Sequence, residues 1–385
     1  MSTILTETWA KSSVPASASA PREIAGSADR SRAQTGTTWV CRYDYILIGS
    51  VALTLALWVA TGIPLTPLRP WIGQMLRSNA LWTVACLVIL AGAQVVRHLT
   101  RFRRLQRRPV VSILARYLGG ATLFRAVRYI VSLAIVLTVY SSIKQAIPLI
   151  NPARWDAQLI SFETWLHGGW NPAWALSQIA WPTWWLRLLD YAYYLWFPLM
   201  PLVGALFLAH RDRNRREHYL AAFMLLWVAA VLIALFIPSH GPCYVDPDRF
   251  PPPDMVMCRV TQDWLWQNYL SLQEISLLGN GGMVFGCGLV ALPSLHVAIC
   301  CLYAIFLWRE RSVWRWPAIA YTMLIFLGSV HSGWHYALDG YAGLLLAALA
   351  TWCTGRLPSP VRSFGGCPIL ATARVGDGQP CATAL

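Results

Sequence analysis

Two short polar motifs interrupt long apolar stretches, and their residue types suit nucleophilic and acid–base chemistry. The first is a Pro-Ser-Leu-His motif that ends at His296, and the second contains His335 and Asp339. At one helical turn of spacing, the Asp339 carboxylate can hold one nitrogen of the imidazole and leave the other facing outward as a nucleophile. His296 can protonate a departing alkoxide, and the amides and hydroxyl around Ser294 can receive phosphoryl oxygens at a helix start. These parts predict phosphoryl transfer through a phosphohistidine.

The apolar runs between the two motifs must bring them together. Residues 291–308 and 314–330 are both close to the ~20 residues that a bilayer core demands, and arginines form a polar bend between them. A chain that crosses, turns and crosses back returns to its starting face. We therefore expect His296 and the His335/Asp339 pair to meet at one membrane surface.

Composition predicts an all-α, polytopic membrane helical bundle. Of the 385 residues, 56% are hydrophobic and only 12% are charged, and 21 are tryptophan. The net charge of +14 comes from arginine blocks beside apolar runs, which is typical of membrane topology, so no nucleic-acid partner is expected. About eight transmembrane helices are predicted, at residues 45–63, 81–96, 129–147, 188–208, 219–237, 291–308, 314–330 and 336–352.

The arginine blocks also predict the sidedness of the chain. With the amino terminus inside, every arginine-rich block falls on the cytoplasmic side, and His296 and His335 fall on the outer side. The localisation that follows is a bacterial inner (plasma) membrane with an extracytoplasmic site. The outer loop at residues 239–290 is rich in proline and glycine, which predicts that it lacks regular elements. The tryptophan-rich residues 151–185 predict an interfacial helical hairpin or, alternatively, a lid over the site.

The pair of motifs resembles the type 2 phosphatidic acid phosphatase superfamily, in which Pro-Ser-x-His is followed by His-x-x-x-Asp before a last membrane helix. Pro-Ser-Leu-His with His-Tyr-x-x-Asp is most similar to its inositolphosphotransferase branch, which includes the fungal inositol phosphorylceramide synthases. The resemblance implies that His335 attacks phosphorus, that His296 acts as acid and base, and that Asp339 orients His335. It also implies a membrane phospholipid donor and a lipid or sugar alcohol acceptor. We expect neither a metal nor a cofactor.

The resemblance suggests four segments. Residues 1–40 are expected to be a disordered cytoplasmic tail, and residues 41–124 two extra membrane helices with a basic cytoplasmic loop. Residues 125–353 correspond to a six-helix catalytic domain of the phosphatase/phosphotransferase type. Residues 354–385 form a second cytoplasmic tail.

The chain departs from the family pattern where the family binds phosphate. The family's third motif begins with Ser-Arg six to seven residues before the nucleophile, where this chain has Gly-Ser and no arginine. The family's first motif is Lys-x6-Arg-Pro. The nearest match in this chain is Lys-x6-Asn-Pro, which begins at Lys144 and precedes the two helices that should come before the motif. A Gly-Pro-Cys-Tyr segment ending at Tyr244 stands where the first motif belongs. The predicted substrate-binding residues are Ser294, Tyr244 and the outer-loop arginine Arg249.

Other readings remain open from the sequence alone. Simple hydrolysis would make the protein a lipid phosphate or polyprenyl-phosphate phosphatase. Because His331, His335 and Asp339 follow each other at four-residue steps, a zinc-dependent membrane hydrolase is an alternative, with His296 as a fourth ligand. A non-enzymatic transporter or scaffold is a further alternative. Three cysteines share the outer loop, where an oxidising compartment would permit a disulfide, namely Cys243, Cys258 and Cys287.

Overall fold

The computed structural model describes residues 40–62, 68–102, 106–278 and 288–358, and every regular element in these ranges is an α-helix. This confirms the predicted all-α class. The helices are α1 (Arg42–Thr61), α2 (Leu68–Phe102), α3 (Arg107–Leu118), α4 (Gly120–Ile150), α5 (Asp156–Leu166), α6 (Pro172–Ser177), α7 (Thr183–Leu208), α8 (Arg213–Phe236), α9 (Pro242–Val245), α10 (Val256–Leu278), α11 (Leu295–Arg309), α12 (Arg315–His331) and α13 (Ala337–Arg356).

Each of the eight predicted transmembrane runs lies on a helix, but the runs differ in length. Six helical stretches in the described residues are long and apolar enough to cross a membrane: α1, α2, α3 with α4, α7, α8 and α13. Helices α11 and α12 have only 15 and 17 residues, which corresponds to lengths of about 22 to 26 Å. The apolar run of α11 was predicted to begin at residue 291. The helix begins later because Pro293 donates no amide hydrogen bond and Ser294 is the N-cap.

Helix α11 lies at the centre of the bundle, where it packs against α12, α13, α8 and α7. Its side chains at Ile299 and Leu302 are fully buried. Gly343 allows α13 to approach closely, because a Cβ atom there would lie 2.5 Å from the Ser294 carbonyl oxygen. Helices α1 and α2 pack against α4, α8 and α7, so the two extra helices are part of the same bundle.

Two segments predicted as loops are helical. Helix α10 occupies 23 residues of the outer loop that was expected to lack regular elements. The expectation was wrong because the prolines at 251–253 precede the helix and the glycines at 279–282 follow it, so its interior contains neither residue type. The basic segment that was predicted as a cytoplasmic loop also contains helix α3 and the flanking ends of α2 and α4.

The tryptophan-rich segment forms two short helices, α5 and α6, and their arrangement as an interfacial hairpin stays a prediction. The two faces of α5 differ in chemistry. Asp156 and Glu163 are buried, whereas the Trp165 side chain is 72% exposed. The acidic face of α5 therefore packs against the bundle. That its tryptophans lie in the membrane interface stays a prediction.

The sidedness can be tested with two cysteines introduced one at a time, after removal of the exposed native Cys353 and of Cys287, Cys367 and Cys381, which lie outside the described residues. Pro253 and Arg108 are both exposed and lie in the outer loop and the arginine block, respectively. Because arginines remain on the cytoplasmic side, a reagent that cannot cross membranes should label Pro253→Cys in intact cells and Arg108→Cys only after permeabilisation. The reverse pattern would place the histidines on the cytoplasmic face.

Candidate active site

The two histidines are supplied by the start of α11 and by the link between α12 and α13. His335 lies two residues before α13, so the predicted continuous helical turn from His335 to Asp339 is not formed. Asp339 is instead in the first turn of α13, where its Oδ2 accepts a hydrogen bond of 2.9 Å from the Tyr336 amide. The Nδ1 atom of His335 nevertheless lies 3.4 Å from the same Oδ2. The structure thus brings the predicted pair together by a helix cap.

The hydrogen bonding of His335 fixes its tautomer. Nδ1 lies 2.8 Å from the carbonyl oxygen of Ala291, which can only accept a hydrogen bond. In the neutral ring Nδ1 therefore carries the proton and donates to Ala291, and Nε2 has the lone pair. The backbone amide of His335 donates to the Ser329 carbonyl at 3.1 Å, which fixes the link as well as the ring. A ring held in this way is suited to nucleophilic attack through Nε2.

His296 faces His335 with its ring enclosed by aromatic side chains. The two imidazole centroids are 6.2 Å apart, and the His296 ring lies 4.3 Å from the ring of Tyr193 and 4.2 Å from that of Trp196. Nδ1 of His296 forms a hydrogen bond of 3.0 Å with the Tyr193 hydroxyl, while Nε2 has no hydrogen-bond partner. Sequence reasoning missed Tyr193. The Tyr193 hydroxyl holds the His296 ring through Nδ1 and leaves Nε2 for proton transfer.

The start of α13 is held by two other helices. The carbonyl oxygen of Asp339 accepts from the Ser294 amide at 2.9 Å, and the Leu338 amide donates to Glu163 on α5 at 3.0 Å. Burial raises the pKa of the Glu163 carboxyl. The Ser294 hydroxyl also accepts a hydrogen bond from the Val297 amide. The hydroxyl therefore caps the start of α11, and the amide bonds to the first turn of α13. Ser294 does not line the cavity described below, so the structure does not bring it to a position for phosphate binding.

Asp156 connects α5 to both loops around the histidines, and sequence reasoning missed it. This buried carboxylate accepts hydrogen bonds of 3.0 Å from the amides of His240 and Gly241 and one of 2.9 Å from the Tyr336 hydroxyl. Burial lowers the pKa of the His240 imidazole, and the charge of Asp156 partly opposes that shift. Through Tyr336, Asp156 positions the residue that directly follows His335.

The two loops approach so closely that glycine is required in each. Gly241 has φ 103°, and a Cβ atom there would lie 2.6 Å from the Trp334 carbonyl oxygen. Gly333 has φ 76°, and a Cβ atom there would lie 2.6 Å from Phe250. The Cys243 amide then donates to the Gly333 carbonyl at 2.9 Å. These contacts make one rigid surface beside His335.

A cavity of about 560 Å³ adjoins this surface and is lined by both His296 and His335. Its volume falls within the roughly 300–1,000 Å³ of typical small-molecule sites. Lys144, His240 and Tyr244 also line it, and most of the remaining lining is aliphatic or aromatic. The arrangement can therefore hold a largely apolar ligand with a polar group at the histidines.

Comparison with known proteins agrees with the geometry. A family model described as the PAP2 superfamily matches residues 157–353, which is just over half of the chain and contains both histidines. The chain belongs to the PAP2 superfamily. No curated protein and no solved structure matches the chain. Membership in the superfamily supports an activity of the lipid phosphatase or phosphotransferase type.

The position of the PAP2 superfamily's third-motif arginine is occupied by a structural serine. Ser329 is fully buried, and its hydroxyl donates to the Phe326 carbonyl at 2.9 Å. Gly328 packs against Leu189 of α7, with 3.6 Å from its ideal Cβ position to the leucine side chain. Positive charge in the cavity lining comes instead from Lys144, which the Lys-x6-Asn-Pro match had indicated only weakly.

The other predicted binding residues differ in position. Tyr244 lines the cavity, its hydroxyl donating to the Gln262 carbonyl at 3.2 Å. Arg249 does not line the cavity and pairs with Asp246 at 3.0 Å. Tyr244 thus lies in the cavity and Arg249 outside it, and a role of either residue in binding substrate stays a prediction.

The outer-loop cysteines and the alternative metal ligands do not form the predicted sites in the part of the chain that the structure describes. Cys243 and Cys258 are buried free thiols, and Cys287 lies outside the described residues. No group of three or more His, Cys, Asp or Glu side chains is arranged to hold a metal ion in that part. His331 faces the edge of the Trp181 ring at 5.8 Å, and neither ring nitrogen has a hydrogen-bond partner.

Proposed function

We propose that this PAP2 superfamily member is an integral-membrane lipid phosphotransferase or phosphatase that forms a phosphohistidine at His335. The observation that carries the proposal is the fixed tautomer of His335, whose Nδ1 donates to Ala291 while Nε2 keeps its lone pair. His296 lies beside it, in the same largely apolar cavity. The proposal includes a location at the extracytoplasmic face of a bacterial inner membrane, and the arginine pattern supports this sidedness.

The proposed reaction has two steps. First, Nε2 of His335 attacks phosphorus, the ester P–O bond breaks, and the leaving oxygen takes its electron pair together with a proton from His296. In the second step His296 takes a proton from the acceptor hydroxyl. That oxygen then attacks phosphorus, and the P–N bond electrons return to Nε2. Asp339 stabilises the positive charge of the His335 ring in both steps, and Lys144 opposes the charge of the phosphoryl oxygens.

We further propose that the acceptor is a lipid or sugar alcohol, with inositol phosphate transferred from phosphatidylinositol. Two features support transfer. The motifs resemble the inositolphosphotransferase branch, and the mainly apolar lining of the cavity disfavours water beside the intermediate. Hydrolysis of a lipid phosphate or polyprenyl phosphate is the second candidate, because His296 can activate water as well as an alcohol.

Purified protein incubated with phosphatidylinositol labelled in the inositol ring separates these candidates. Ceramide or diacylglycerol is offered as the acceptor, and transfer should place the label in a new lipid. Label found only in water-soluble inositol phosphate, whatever acceptor was offered, would identify a hydrolase. A matched incubation with the His335→Ala variant gives the background of both products.

Asp156→Ala should lower the turnover rate by about 10²-fold with little change in KM, because small displacements of reacting groups have effects of that size. Oδ1 of Asp156 accepts hydrogen bonds from the amides of His240 and Gly241 and from the Tyr336 hydroxyl, so alanine removes the partner of all three groups. The rates are measured at saturating and limiting substrate to separate kcat from KM.

The matched variant is Tyr336→Phe, which removes the hydroxyl that donates to Asp156. If Asp156 acts by positioning the link that carries His335, the two substitutions act on one network and their effects on kcat should not add. Additive effects, or a loss confined to thermal stability with normal kcat, would show that Asp156 has only a structural role.

A further inference from the structure

The cavity beside the histidines extends far into the bundle. Lys144 and Tyr129 both line it and both lie on α4. Their separation of 15 positions corresponds to a rise of about 22 Å along the helix axis. One leaflet accounts for about 15 Å, half of the ~30 Å hydrocarbon core. The cavity is therefore deeper than the polar end of a substrate requires.

The deep part of the cavity is apolar. Leu133 and Leu137 of α4 line it together with Trp227, Ala230 and other side chains of α8. Among the lining residues, Lys144 is the one lysine or arginine side chain, and it is close enough to His296 to interact with it electrostatically. The charged end of the cavity is thus the histidine end, and its interior offers a hydrocarbon environment.

Helix α2 forms one wall of this cavity. Its lining residues follow the spacing of a single helical face, at Met75, Ser78, Asn79, Trp82 and Thr83. Helix α2 lies outside residues 157–353, which match the PAP2 superfamily. The wall is therefore an addition of this chain to the matched region, and it encloses the cavity on the side of α4 and α7.

We propose that this cavity binds a long hydrocarbon chain of the lipid phosphate substrate, and that the α2 face selects for that chain. The inference rests on the proposed function, because it places the phosphate at His335 and Lys144 and the chain between α2, α4, α7 and α8. An apolar chain in this space removes its surface from water and from competing lipids. The α2 face then determines how far, and how well, the chain fits.

The Ser78→Phe variant tests the selection, because it places a large side chain on the cavity face of α2. Two phosphatidic acids with the same headgroup serve as substrates, one with long and one with six-carbon chains. For the long-chain substrate kcat/KM should fall by about tenfold or more, since misfits in hydrophobic pockets have effects from about tenfold upwards. The short-chain substrate should be turned over normally. Equal losses for both substrates, or no loss for either, would contradict the proposal.

The control is Gln74→Phe, at an exposed position on the same helix that does not line the cavity. It adds the same side chain near the same level of α2, so it reports any general effect on folding or insertion. We expect it to leave both substrates unaffected. A selective loss of long-chain activity in this variant as well would show that the lining face of α2 is not responsible.

Photolabelling tests the cavity without turnover. The His335→Ala variant is exposed to a long-chain alkyl phosphate that carries a photoreactive group at the chain end. Labelled peptides from α2, α4 or α8, displaced by long-chain but not by six-carbon phosphatidic acid, would support the site. Label only at bilayer-facing residues such as the exposed Trp58, or label that long-chain lipid does not displace, would overturn it. A wild-type protein that binds the probe but turns over no substrate would refute the proposed function alone.

Discussion

Replacing His335 with alanine should reduce turnover of a lipid phosphate by at least about 10⁴-fold, as expected for the loss of a covalent nucleophile. The Ala291 carbonyl holds Nδ1, so Nε2 is the atom that forms the bond to phosphorus. No other imidazole occupies that position in the described residues, because His296 is oriented by Tyr193 with its ring centroid 6.2 Å away. The measurement is phosphate or headgroup release by purified protein in a single turnover.

Trapping of the intermediate gives a second readout. Wild-type protein quenched during turnover of a ³²P-labelled substrate should carry acid-labile, base-stable label, which is characteristic of a phosphohistidine, and His335→Ala should carry none. Retention of label on another residue of the variant would contradict the assignment of the nucleophile.

His331 provides the matched control for this experiment. It lies four residues before His335 but has no hydrogen-bond partner and packs against Trp181. We expect His331→Asn to keep most of the activity, because the proposed mechanism does not use its ring. If both substitutions abolished activity and zinc restored activity to protein treated with a chelator, the zinc alternative would replace the phosphohistidine.

Features that depend on local sequence could be predicted. Apolar runs of sufficient length predicted helices at all eight positions, because hydrophobicity and helix length are properties of one segment. The approach of His296 and His335 could also be predicted from the two consecutive apolar runs. Helices α11 and α12 pack as an antiparallel pair, so the end of α12 lies near the start of α11. Tyr244, which was predicted from its place after α8 to bind substrate, lies in the cavity lining, and its binding role stays a prediction.

Features that depend on contacts between distant segments could not be predicted. Asp156 and Tyr336 are separated by 180 residues, and Tyr193 and His296 by 103. Nothing in the local pattern of either pair indicates the other. The helix start after Ser294 and the cap at Asp339 also depend on each other, through the hydrogen bond from the Ser294 amide to the Asp339 carbonyl. The cap formed by the Tyr336 amide and the Asp339 carboxylate, and not a continuous helix through His335, brings the carboxylate to the imidazole.

His296→Ala should lower turnover of a lipid phosphate by about 10²–10⁴-fold, the usual contribution of a positioned general acid or base. The physical reason is the leaving group. A lipid alkoxide is a strong base and leaves poorly unless it is protonated as the P–O bond breaks. His296 can supply that proton from Nε2, because the Tyr193 hydroxyl occupies Nδ1 and Nε2 has no other partner.

A substrate with a good leaving group separates this role from a structural one. Nitrophenolate leaves without a proton, so formation of the phosphohistidine from nitrophenyl phosphate should be nearly as fast in His296→Ala as in the wild type. The first-turnover burst of nitrophenol measures that step, while the slower second step, in which His296 acts as a base, limits later turnovers.

Tyr193→Phe is the matched variant, since it keeps the stacked ring but removes the hydroxyl that orients His296. Tyr193→Phe should lower the rate of lipid phosphate turnover less than His296→Ala does, and it should likewise leave the nitrophenol burst nearly unchanged. A burst that is slowed as much as lipid turnover in His296→Ala would show that His296 supports the site without donating the proton.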